Sequence, residues 1–219
     1  QEFAMCRRFP IVPGLLSLVA LLGMPRPGSA GVPNPAESVW PHHVVLVGTN
    51  ASGVPDPIGT MHVEINHYGG RPYGSPIIVL YFSASPGVEF CMDQGNPAVI
   101  ADCATRTVRT FGDNFGKANL IVTGHVDRNF DQSHAPSAQL YVDGVLFGTI
   151  PVASYDEDGF GVSAADNSLF QQDLFSGQYW ERSDFNGDTL LTAADLSVWL
   201  TAYFGDGSKR GSTTGNVCV

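Results

Sequence analysis

Along the first two-thirds of the chain, apolar residues recur in short runs and in steps of two. Residues 43–47 form an apolar run, and Met61, Val63 and Ile65 alternate with His62, Glu64 and Asn66. Residues 77–82 read as a strand buried along its whole length, residues 106–111 alternate weakly, and residues 120–122 follow a turn at 112–116. A period of two sends successive side chains to opposite faces of a strand. Residues 140–142 and 145–150 flank Asp143-Gly144, a dipeptide suited to the left-handed positions of a tight hairpin. Seven or eight short strands with frequent turns predict a β-sandwich over 43–150.

Beyond Pro151 the period changes to 3.6 and an internal repeat begins. Val162-Ser-Ala-Ala-Asp166 recurs as Leu191-Thr-Ala-Ala-Asp195, and Ser168, Phe170 and Phe175 match Ser197, Trp199 and Phe204. Leu196, Trp199, Leu200, Tyr203 and Phe204 form the stripe of an amphipathic helix, and Gly177 and Gly205 stand where the two helices should end. Units this short cannot each bury an apolar face alone, so they must pack together.

Before each predicted helix lies an acidic turn. In the second copy Asp184, Asn186, Asp188, Thr192 and Asp195 fall at loop positions 1, 3, 5, 9 and 12, and Leu190 at position 7 can offer its carbonyl. A hard cation such as calcium takes six to eight oxygens, and a curled loop of this spacing converges them. Read without a cation, the same residues make a polar turn with Asp195 capping the helix. In the first copy the candidates are Asp156, Asp158, Ser163 and Asp166, with the Gly161 carbonyl. This loop is one residue shorter: either it tightens around Gly159 and Gly161, or its site is weak.

Two resemblances follow from these residues. Asp113-Asn-Phe-Gly116-Lys-Ala118, followed by Leu120-Ile-Val122, resembles the turn and strand of bacterial Ig-like domains of the invasin type, over roughly 43–150. Residues 152–206 resemble a dockerin type I domain, with two calcium loop-helix segments. The resemblance implies paired EF-hand-like units with pseudo-two-fold symmetry and a cohesin partner. Thr189 departs from it at loop position 6, where glycine makes the sharp turn. Ala164-Ala165 and Ala193-Ala194 depart from it where dockerins carry the polar pair read by cohesin. The expected fold is mainly β with a small α module: an Ig-like β-sandwich, then a two-helix, two-loop dockerin-like domain.

Composition narrows the function. The chain carries 11 basic and 21 acidic residues, a formal charge of −10, which argues against a nucleic-acid partner. Met5, Arg7 and Arg8, the apolar run 11–22 and the small residues Gly28 and Ala30 have the layout of a secretory signal. The run is too short for a membrane span, so a membrane enters only if this segment stays attached as an anchor. The expected organisation is a signal with an upstream extension (1–30), a linker (31–42), the sandwich (43–150), the calcium-binding domain (151–206) and a tail (207–219). In an oxidising compartment Cys91 and Cys103 are the natural disulfide pair, leaving Cys218 as a free thiol or an intermolecular bridge. No His/Cys cluster, nucleophile elbow or phosphate-cradling glycine motif occurs. The expectation is therefore a secreted, non-catalytic protein whose calcium module docks to an extracellular partner. The alternatives are a self-associating filament or matrix subunit, with calcium as an intramolecular clamp, and a polysaccharide-binding accessory module.

Overall fold

The computed structural model describes residues 31–49, 52–129 and 135–204, and the backbone of 217–218. The expected signal segment, the Cys218 side chain and most of the tail lie outside the described residues. The described chain is mainly β. Its strands are β1 (Val44–Leu46), β2 (Met61–Glu64), β3 (Ile77–Tyr81), β4 (Val88–Cys91), β5 (Ile100–Asp102) and β6 (Thr107–Phe111), then β7 (Lys117–Leu120), β8 (Gly124–Val126), β9 (Ser137–Val142), β10 (Val145–Ser154) and β11 (Val217–Cys218); the helices are α1 (Ala164–Phe175) and α2 (Ala193–Phe204).

Six strands form one sheet in the order β1-β10-β9-β3-β6-β5; β11-β4-β8 and β2-β7 form two smaller ones. The β9–β10 hairpin turns at Asp143 and Gly144, both at positive φ (45° and 81°), as the dipeptide predicts. β1 runs parallel to the end of β10, pairing Val44–Leu46 with Val152–Ser154. On its far side Val47 exchanges hydrogen bonds with Val122 and Gly124, which ties the large sheet to the β8 region.

Three local expectations are corrected. β3 alternates and is not buried throughout: Ile78 and Leu80 are fully buried, while Ile77 is 41% exposed. The strand expected at 120–122 sits earlier, at Lys117–Leu120, where it pairs with β2. Cys91 and Cys103 do not form the expected disulfide. Cys91 is a free thiol and Cys103 is bonded to a cysteine outside the described side chains. Cys91 ends β4 in the three-stranded sheet, whereas Cys103 follows β5 at the edge of the six-stranded one, so closeness in sequence does not bring them together. Residues 31–42 run beside β2, with Val39 bridging Glu64 and Trp40 packed on the core.

Two apolar clusters result. The first gathers Leu46, Ile78, Leu80, Phe82, Phe90 and neighbours such as Val63 and Leu120, drawing on strands of all three sheets. The second contains Phe170 of α1, Trp199 and Ala202 of α2, and Phe185 between the helices. It also takes in Val45 of β1 and Ala153 of β10, with Val47 and Tyr155 just beyond them. The helices therefore complete their core on the sheet.

Candidate metal centre

Both acidic turns have one design, which the hydrogen bonds define. Asp156 accepts from the N–H groups of Gly159 (2.7 Å) and Gly161 (2.8 Å), three and five residues on. Asp184 accepts from Gly187 (2.8 Å) and Thr189 (2.9 Å) at the same offsets. At the other end, Asp166 accepts from Glu157 and Ser163, and Asp195 accepts from Phe185 and Thr192. Each loop thus has its first and last acids pinned by its own backbone. The fourth and sixth residues are left-handed in both, with φ of 79° and 86° at Gly159 and Gly161, and 69° and 66° at Gly187 and Thr189. The shorter first loop keeps this pattern, so its missing residue falls after the sixth position. The hydroxyls of Ser163 and Thr192 serve as helix N-caps, accepting from Ala165 and Ala194 at 3.1 Å.

In the first loop Asp156, Asp158 and Asp166 each bring a carboxylate oxygen within 4.8 Å of the other two. Asp156 and Asp166 are buried, and desolvation pushes both up to about 6. A donor set of crowded carboxylates with no nitrogen or sulfur suits a hard divalent cation, whose charge would offset that desolvation. Among the described residues no second group of three acid, His or Cys side chains closes to this distance. In the second loop Asn186 stands where the first has Asp158, leaving Asp184 and Asp195 as its buried acids. Asp188 is exposed, accepting from the Asn186 amide at 3.0 Å and from the Leu190 N–H at 2.8 Å. Tyr179 adds a hydroxyl donor to Asp184 at 2.6 Å.

The residue before each loop touches the second residue of the other. Tyr155, just before the first loop, stacks on Phe185, the second residue of the other loop, at 4.8 Å. The equivalent pair is Ser183, just before the second loop, donating to Glu157, the second residue of the first, at 3.2 Å. Phe170 and Trp199, matched in the repeat, lie parallel at 6.4 Å.

Sequence reasoning missed the ionic cluster that Ser183 joins. Arg182, Asp173 and Glu157 are each 1% exposed. Arg182 makes a forked pair with Asp173 (2.8 and 2.9 Å), and Arg128, which follows β8, reaches Asp173 at 3.2 Å and Glu157 at 3.5 Å. Burial first, and then Asp173, pushes Glu157 up to about 8. One signal was available: Asp166, Phe170 and Asp173 share a helical face, so an acid on the apolar side of α1 required a buried cation. Compared with family models, curated proteins and solved structures, the chain has no match.

Proposed function

We propose that this chain is a secreted, non-catalytic, calcium-binding protein in which a divergent dockerin-like pair of loops and helices clamps an Ig-like β-sandwich. The observation that carries this reading is the shared second core: the apolar face of the helix pair rests on Val45, Val47, Ala153 and Tyr155 of its own chain. A face used in this way is taken, which favours the intramolecular clamp over a plug held ready for another protein. Asp156, Asp158 and Asp166 would hold one ion, and Asp184, Asn186, Asp188 and Asp195 a second. Calcium supplies the positive charge that ordered, buried carboxylates need, and binding the folded state alone stabilises it by mass action. The disulfide at Cys103 suits an oxidising exterior. The test is calorimetric titration of the chelator-treated chain with calcium: two binding events and a raised melting temperature are expected, and a melting temperature indifferent to calcium rejects the reading.

Docking to a cohesin-like extracellular partner is the second reading, favoured by one observation. Phe175 and Phe204, matched in the repeat, end their helices 79% and 76% exposed. The sequence stripe placed Phe204 among the helix-packing residues, whereas the structure turns it to solvent.

A further inference from the structure

We propose that His43 and His125 are positioning residues for the two calcium loops, each fixing the fourth residue of one loop, so that affinity at either site depends on the strand beneath it. The inference rests on the calcium reading above and adds to it a site-by-site dependence on the β region.

The fourth residue matters because its N–H holds the first carboxylate: Gly159 to Asp156, and Gly187 to Asp184. A histidine ring occupies the space beside each of these glycines. A methyl group added at Gly159 would stand 2.7 Å from His125 Nε2, and one added at Gly187 would overlap the His43 ring. Each glycine is therefore required twice, for its positive φ and for the ring against it.

Both rings are anchored in the sheets. His125 lies in β8 and is 3% exposed, with Nε2 3.4 Å from Glu89 of β4. Just after it in the chain, the N–H groups of Val126 and Arg128 donate to the carbonyls of Asp156 and Glu157 at 3.3 and 3.2 Å. His43 directly precedes β1 and is hydrogen-bonded to the backbone of Phe185, the second residue of its loop. The two histidines lie outside the internal repeat, one just before β1 and one in β8 of a different sheet, yet reach equivalent positions on the two loops. A packing ring that merely filled space would affect both loops together through overall stability. A positioning ring acts on one.

The experiment is calcium titration calorimetry on the full chain, with single-site backgrounds. Asp156→Ala leaves the second loop as the remaining site, and Asp184→Ala leaves the first. In the Asp156→Ala background, His43→Ala should weaken the remaining site by about tenfold or more, the size of effect expected of groups that orient metal ligands, while His125→Ala leaves it within about twofold. The Asp184→Ala background should show the reverse. His43→Gln and His125→Gln repeat the test with side chains nearer in size, and circular dichroism verifies that each variant is folded. Equal losses at both loops, or no loss at either, overturn the inference while leaving the calcium reading intact. An unaltered chain that takes up no calcium overturns both.

Discussion

Thr189 carries a conformation that its side chain resists. Its φ of 66° lies where a side-chain-bearing residue is crowded by its own backbone, and the matching residue of the first loop is Gly161. Thr189→Gly should raise the stability of the calcium-loaded chain by up to about 1 kcal/mol, read from thermal melts. The acids of the first loop make a prediction of opposite character. Asp156 and Asp166 titrate near 6 in the folded chain, against an ordinary 3.8. Between those values the folded state keeps protons that the unfolded chain has released, so the calcium-free protein should lose stability as pH rises from about 4 to about 6. Calcium competes for the same oxygens, so its affinity should fall as pH drops through about 6. Melts and titrations across that range measure both slopes. At this scale the acids that open and close each loop were legible, because their spacing is local. The histidines beneath them were not, because a ring on a distant strand leaves no mark near the loop it supports.

Between elements, the decisive contacts are those that join the two loop-helix units. Phe170 is fully buried and touches both Phe185 and Trp199. Phe170→Ala should cost about 3–5 kcal/mol, the loss of an aromatic from a packed site with little room to collapse. Arg182→Ala should cost a similar amount, about 3–5 kcal/mol, because Asp173 and Glu157 would be left buried with only the half-buried Arg128 against them. Arg182→Met, with Asp173→Asn in the same chain, should recover part of that loss in urea unfolding. The repeat and the hairpin could be read from pattern because both are set by neighbours a few residues apart. The strands β4 and β8 could not: each is three or four residues long and gets its place from a partner far along the sequence.

At the scale of the whole described chain, sheets and helices should unfold as one body. The second core draws on β1, β10, α1 and α2 alike, and β8 hydrogen-bonds directly to the first loop. Scanning calorimetry of the full chain should therefore show one transition, moved upward as a whole by calcium. Two transitions, with calcium shifting only the later one, would mean that the clamp does not reach the sheets. This unity was the least legible feature. The change of period after Pro151 marks a change of secondary structure, and nothing local distinguishes that from a boundary between independent bodies.

Tyr155 shows what this arrangement means for anyone wishing to borrow the pair of loops and helices. It is the first residue beyond β10, it precedes the first acid of its loop, and its ring is the shelf on which Phe185 of the other loop lies. Grafted onto another protein without that ring and the valines of β1, the helices would arrive with an oily underside and nothing to set it on. The portable unit is the helix pair together with a strip of the parent sheet.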